Sequence, residues 1–519
     1  MTSLALEQAL AQVTPKDVAL VARHVAGSPA SCEPIFSPPP GDAPEQTTCE
    51  HHFFTVSINP DQAAEAKQEL FVFAIEVLVY TTANRSTIFV SKADSTGYLN
   101  LLNKRSGRHV TSSLIKNILN VFLSHLIHLY QRPGVPVVLS LFARAQGQYL
   151  FAGSAENPDK HILDDRALIK WWSRVVDPIM RGIESDNNEN VEPRVGASPR
   201  VSAYVIVPGC DKFETRGFFP PNANPDSRKH RWANSYPLHE ICSHPDAPPR
   251  CLVPRFPDDP KARFLLDLDD EIPDNPSSGA KAAGTWRSVK TLEQFWEMMA
   301  YRQECSAGRL VGFLWMVVQP QMELEPSSDP SRADTTATNT IQVPPEGLEN
   351  TSKEIESNIN TTQSVSPSNS IILLSNEDYN SLSDCLLELD FANKDIAISS
   401  TKLWIERLSS YIGHDGGQLV TGKAEVPAAL SASGPEQSAT HLNVLDSGML
   451  RKRKRKDSLP AASPSIDPAN ATKSPTEENP SSPKGKHEAP KGSEPAVVPI
   501  NTLNSNLIRK KKKGNPQET

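Results

Sequence analysis

The segment LFVFAIEVLVYTT, about Leu70 to Thr82, restricts the fold sharply. It is rich in β-branched and aromatic residues and of strand length, so it belongs in a sheet. HHFFTV precedes it, and STIFVSKAD, ending at Asp94, reads as a neighbouring strand that stops at a loop. From Thr111 to about Tyr130 the residues Leu114, Ile115, Ile118, Leu119, Phe122, Leu126, Ile127 and Tyr130 recur at helical spacing, and Pro133 lies just past the end. VPVVLSLFARA, from Val135 to Ala145, has a buried-strand pattern. Asp164 or Asp165 can cap a helix from Arg166 to about Ile183 that carries Trp171 and Trp172. Further along, VSAYVIVP reads as a strand, FPDDPKARF (256–264) as a proline-bounded loop, Thr291 to Glu304 as a helix and Gly312 to Val318 as a strand. The mixture predicts one large α/β (α+β) domain: a central mixed sheet flanked by helices.

Composition divides the rest of the chain. Of 519 residues, 45 are proline and only 38% are hydrophobic, so part of the sequence cannot bury enough apolar surface to fold. We expect the main part of the domain over 1–320, with surface loops at 27–48 and 184–199. Residues 321–370, rich in Pro, Ser, Thr and Asn, are expected to be a disordered insertion. Helical patterns return at about 376–391 and 398–411, so 371–425 reads as a helical segment completing the domain, and 426–519 as a disordered basic tail. Within that tail NVLDSGMLRKRKRK and NTLNSNLIRKKKK echo one another, as a duplicated docking element would.

The net charge of −8 conceals an asymmetry, because Arg451–Lys456 and Arg509–Lys513 concentrate positive charge and leave the remainder strongly acidic. An acidic body suits a basic protein partner better than DNA, so direct nucleic-acid contact is not expected; the basic runs read first as nuclear import signals. Seven cysteines without paired spacing fit reduced thiols, and no leader or membrane span is predicted. GxxxxGK[ST], HExxH, GxSxG and strand-borne GxGxxG are all missing, which removes support for nucleotide hydrolysis, zinc proteolysis and the commonest hydrolases. His239, Cys242, His244 and Cys251 are too irregularly spaced to predict a metal site, so no metal is expected.

Four segments stand at the edges of predicted elements, where sites are built: IFVSKADSTGY (88–98), LFARAQGQYLF (141–151), KHILDDRALIKWW (160–172) and FPDDPKARF. Singly, each residue has a structural explanation: Asp94 as a turn carboxylate, the tryptophans as core, Asp258 and Asp259 as a solvated pair. Together and in this order they resemble the fungal histone acetyltransferases that regulate Ty1 transposition, a family similar in fold to the CREB-binding-protein acetyltransferases. The similarity runs from about His51 to Arg263, continues more weakly over 291–304, and returns at LVTGK (419–423) and the basic tail. The loop 101–110 and the stretch from about 184 to 235 depart from the family pattern.

The resemblance implies transfer of acetyl from acetyl-CoA to a histone H3 lysine. An acceptor lysine titrates near ~10.4 and must lose its proton, which calls for a carboxylate beside a dry, apolar slot. Asp259 is the implied proton acceptor, with Asp258 beside it; Asp94 is a second candidate, either as base or as the group that positions the lysine. Trp172 and Tyr149 resemble the slot walls, and Tyr149 could instead protonate the leaving thiolate. An extended pantetheine arm suits the strand edges Ala93–Ser95 and Phe142–Gln146, which include Arg144. Arg105, Arg108 and the helix start Thr111, Ser112, Ser113 suit phosphates. His161 and Trp172 are further implied cofactor contacts, and the lysine matching Lys261 is itself acetylated in the family. The implied targets are the fifty-sixth residue of H3 and its N-terminal tail lysines; the implied partners are H3–H4 and histone chaperones of the anti-silencing-function and nucleosome-assembly-protein types, in the nucleus. The competing reading is a non-catalytic histone or chromatin adaptor, which would have no need of Asp94, Trp172 and Asp259 together.

Overall fold

The computed structural model describes residues 5–16, 18–60, 68–102, 113–186, 200–221, 232–272, 285–302, 309–320 and 371–425. The expected insertion at 321–370 and tail from 426 lie outside them, as do Arg105, Arg108, Thr111 and Ser112. In chain order the elements are α1 (Leu6–Val13), β1 (Ala19–Gly27), β2 (Ala30–Cys32), β3 (Thr47–Ile58), β4 (Leu70–Thr81), β5 (Ser86–Ser95), α2 (Leu114–Tyr130), β6 (Val137–Arg144), α3 (Asp165–Asp186), β7 (Val201–Ile206), α4 (Lys212–Arg216), β8 (Trp232–Ala233), α5 (Leu238–Ile241), α6 (Pro260–Asp269), α7 (Leu292–Met299), β9 (Val311–Val318), β10 (Ile371–Leu374), α8 (Asn376–Glu388), α9 (Lys394–Ile412) and β11 (Gln418–Thr421).

The strands form one mixed sheet in the order β10-β1-β3-β4-β5-β6-β9-β7-β8, with β11 paired to β1 and β2 to β3. Alternation along the strands separates two cores. Leu139 and Leu141 of β6 and Leu314 and Met316 of β9 join α2 and α3 on one face. Val138, Phe142, Phe313 and Trp315 join Phe264, Phe295 and Trp296 of α6 and α7 on the other. Over β3 and β4 this second face is covered by α9, whose Trp404 packs against Phe53 and Phe71 at ring distances of 6.0 and 5.2 Å. Burial of both faces explains why β4 is apolar along nearly its whole length.

Three readings change. The loop expected at 27–48 contains the short strand β2, and it is preceded by α1 and β1, elements not expected from the sequence. β1 escapes a periodicity search because Arg23 and His24 interrupt its apolar pattern. Both are buried with partners: Arg23 donates to Glu69 at 2.7 and 3.0 Å, and His24 Nε2 meets His52 Nδ1 at 2.9 Å. FPDDPKARF is not wholly a loop, since Pro260 opens α6, with proline at a first-turn position where no N–H is needed. Residues 371–425 supply strands as well as helices. β10 pairs parallel with β1 at His24–Gly27 and β11 antiparallel at Ala19–Ala22, so the chain returns to complete the sheet edge. Of the two possible caps for α3, Asp164 Oδ1 accepts from Ala167 N–H at 2.7 Å.

Candidate active site

β5 and β6 are parallel neighbours whose pairing ends at Val90–Leu141. Each nevertheless continues on its outer side, β5 with β4 as far as Ser95 and β6 with β9 as far as Arg144. The two strands therefore splay, and the cleft between them, about 490 Å³, is lined by Lys92 to Ser95, Phe142, Arg144 to Gln146, Tyr149, Lys160, His161, Trp171 and Trp172, among others. Of the sequence-predicted cofactor residues within the described part of the chain, Ala93, Asp94, Ser95, Phe142, Arg144, Gln146, His161 and Trp172 meet here, whereas Ser113 does not line the cleft.

Asp94 holds the cleft wall together. Its Oδ2 accepts from the backbone N–H groups of Tyr149, Leu150 and Phe151 at 2.7, 3.0 and 3.2 Å. Its Oδ1 accepts from Ser95 N–H and from Lys160 Nζ, both at 2.8 Å. Lys160 also donates to Ser154 Oγ at 2.8 Å. Both members of the Asp94–Lys160 pair are almost wholly buried. The turn after β5 allows this approach because Gly97 has φ +87°, and a Cβ there would stand 2.6 Å from Lys160 Cα. Lys160 opens the KHIL segment but carries no spacing signal of its own; only its place in the folded wall marks it.

Tyr149 donates its hydroxyl to the Arg144 carbonyl at 2.6 Å, and burial raises its phenol above the usual tyrosine range. It remains protonated at neutral pH. Trp172 is 5% exposed and meets Trp171 edge-on at 5.1 Å, so the pair forms an apolar wall.

Asp259 and Lys261 are not among the cleft-lining residues. Asp259 caps α6, accepting from Lys261 N–H at 2.9 Å, and its other oxygen takes the Lys261 ammonium. Lys261 is 2% exposed, with Nζ 4.7 Å from the Phe313 ring centroid. Burial outweighs the attraction of Asp259 and lowers the Lys261 pKa below the ordinary lysine value. The link to the cleft is Asp258, whose carboxylate lies 2.9 Å from Nζ of the cleft-lining Lys92. Sequence reasoning missed Lys92, which lies inside IFVSKAD but reads there as an ordinary strand residue.

The histone acetyltransferase KAT11-type domain family matches residues 6–136 and 128–407. The chain belongs to that family. A histone acetyltransferase rtt109 from Aspergillus flavus is 43% identical over 97% of this chain and 98% of its own. One from Schizosaccharomyces pombe is 32% identical over 49% of this chain and 58% of its own. The crystal structure of Rtt109 from Aspergillus fumigatus superposes with a TM-score of 0.66 at 47% identity, covering 82% of this chain and all of that one. The chain is accordingly a histone acetyltransferase, and acetyl-CoA is the co-substrate its family implies.

Proposed function

We propose that this enzyme acetylates histone H3 in the nucleus, at the fifty-sixth residue and at N-terminal tail lysines, and that it works with histone chaperones of the anti-silencing-function and nucleosome-assembly-protein types. The observation that carries the reading is the splay of β5 and β6, which opens a cleft between the Asp94-held wall and the Trp171–Trp172 pair. The diverging edges at Ala93–Ser95 and Phe142–Gln146 offer backbone groups to an extended amide-bearing arm, and Lys116 on the first turn of α2 supplies a cation among the lining residues. Acetyl-CoA brings the activated thioester; the protein's own groups must bind it, exclude water and remove the proton from the incoming lysine.

The geometry supports the following division of these tasks. With five donors on its two oxygens, Asp94 is suited to positioning rather than to taking a proton. Tyr149 and Trp172 act as walls; the Tyr149 hydroxyl, which donates to the Arg144 carbonyl, would have to turn its proton away from that carbonyl to protonate a leaving thiolate. Proton acceptance falls to Asp259. While Lys261 is an ammonium, the two neutralise each other. Acetylation of Lys261 removes that competing charge and releases the Asp259 carboxylate to serve as base. The depressed pKa of Lys261 raises the fraction of nucleophilic amine available for its own acetylation.

We read residues 321–370 as an insertion and the tail from 426 as a localisation and delivery element, with residues before it forming the catalytic domain. Incubation of the full chain with labelled acetyl-CoA and H3–H4, with and without each class of chaperone, tests the assignment. Label on H3 that rises with a chaperone is the expected result. Absence of label under all conditions would overturn the substrate reading, and Asp259→Asn transferring acetyl at the wild-type rate would overturn the assignment of the base.

A further inference from the structure

The strand pairing of β4 with β5 slips between Glu76 and Val77: Glu76 faces Lys92 and Val77 faces Val90, leaving Ser91 as an extra residue. Such a bulge re-aims side chains. Here it brings Ser91 and Lys92 to one carboxylate, with Ser91 Oγ donating to Glu76 Oε2 at 3.0 Å and Lys92 Nζ to the same oxygen at 2.8 Å. Glu76 is 8% exposed, and a buried carboxylate with these two donors is fixed in place. The same Lys92 ammonium reaches Asp258 Oδ2 at 2.9 Å.

Asp258 has φ +58°, the one positive φ outside glycine among the described residues. Aspartate visits this left-handed region more readily than most residues, yet at a cost that the surroundings must offset. The path of the next three residues depends on it. Asp259, preceding Pro260, is extended at φ −70° and ψ 134°, and its side chain caps α6 and takes the Lys261 ammonium. Asp258 is thus the hinge between the cleft wall and the Asp259–Lys261 pair, and Lys92 is the side chain that grips it from the cleft side.

We propose that Lys92 is a positioning residue for acetyl transfer: held on the β5 bulge by Glu76, it pins Asp258 in its left-handed conformation, and so sets Asp259 and Lys261 against the cleft. This deepens the reading of Asp259 as proton acceptor and rests on it. Lys92 and Lys261 then have opposite duties. Burial works against the charge on Lys92, but Glu76 and Asp258 more than compensate and hold it as an ammonium, a clamp and not an acetyl acceptor. Lys261, with one carboxylate in a fully buried site, is shifted the other way.

The test is a mutant cycle in the full chain, with acetyl-CoA and H3–H4 as substrates. Displacement of a catalytic group by about 1 Å can cost on the order of 10²-fold, so Lys92→Met is expected to lower kcat by about tenfold or more. Acetyl-CoA affinity should stay within about twofold, and Lys92→Arg, able to bridge both carboxylates, should return to within about threefold of wild type. Asp258→Gly adopts positive φ without a clamp, so adding Lys92→Met to Asp258→Gly should cost less than about twofold, the signature of a residue acting through Asp258. Acetylation of Lys261, read by peptide mass, should fall with kcat in Lys92→Met. Should Lys92→Met not fold, Lys92→Gln repeats the measurement with a neutral side chain that still partners Glu76. A wild-type kcat in the folded neutral variants, a full additive loss in the Asp258→Gly background, or a collapse of acetyl-CoA affinity would each overturn the proposal. Asp259→Asn measured beside them separates the two readings: wild-type activity there removes the base assignment, whereas an inactive Asp259→Asn with an unaffected Lys92→Met removes only the clamp.

Discussion

Replacing Asp94 by asparagine changes one oxygen to an amide and removes a charge on which five donors converge. The amide cannot accept at both ends. If its oxygen keeps the Tyr149–Phe151 N–H groups, its NH2 faces the Lys160 ammonium, whose side chain is only 5% exposed. Breaking a buried pair by removing one charge costs about 3–5 kcal/mol, chiefly because the remaining ion is stranded. If the amide turns round, three backbone donors are orphaned instead, at about 1–3 kcal/mol each. Either orientation therefore predicts a loss of at least about 3 kcal/mol. Urea unfolding of residues 1–425 followed by tryptophan fluorescence measures it, since Trp171 and Trp172 line the affected cleft. Acetyl-CoA binding should weaken together with stability, because Tyr149, whose backbone Asp94 holds, lines the cleft. A loss below about 1 kcal/mol with unchanged binding would refute the view that Asp94 holds this wall by charge.

Trp172 is buried, so Trp172→Ala is expected to cost about 3–5 kcal/mol in stability, and Trp172→Phe is the cleaner probe of the slot; kcat/KM at least about tenfold lower at near-native melting temperature is the expected outcome for the Phe variant. Deleting 325–368 should leave cooperative unfolding and acetyl transfer intact, as judged by calorimetry and label incorporation, because the segment lacks apolar periodicity. Burial pushes His24 well below its ordinary pKa and His52 down to about 3, each helped by neighbouring histidines. The unfolded chain then binds more protons below about pH 6.5, so His52 should remove up to about 1.4 kcal/mol of stability per pH unit as the pH falls from there toward about 3, and His24 acts in the same direction; a flat unfolding free energy between pH 7 and 5 would refute it.

The parts of the fold legible in the sequence are those whose burial needs no partner to explain it. β4, β6 and β9 are apolar nearly throughout because both faces are covered, and α2 carries an unbroken helical stripe. β1 is not legible, because the acceptability of Arg23 and His24 in a core strand depends on Glu69 and His52, which only the folded chain brings near. β10 and β11 escape for a related reason: strands of four residues give too short a pattern, and their pairing with β1 joins positions separated by most of the chain. At the site, the family resemblance gathers the right segments, but spacing cannot distinguish a carboxylate that holds a loop from one that moves a proton. The five donors around Asp94 are what supports the positioning role proposed for it.

The arrangement also explains why two lysines near one centre need different surroundings. An acetyltransferase holds an activated thioester near its own amines, so a lysine in the cleft or linked to it must be kept from the reaction or used by it. A lysine escapes by staying charged, and that requires carboxylates enough to outweigh its burial. Lys92 has Glu76 and Asp258. Lys261 has Asp259 alone, beneath the Phe313 ring in a fully buried site. The lysine with least compensation is the one whose pKa burial lowers, and on the proposed reading it is also the one whose acetylation would free a carboxylate. Adding a second carboxylate beside Lys261 would suppress its modification, while removing Glu76 would expose Lys92 to the same fate.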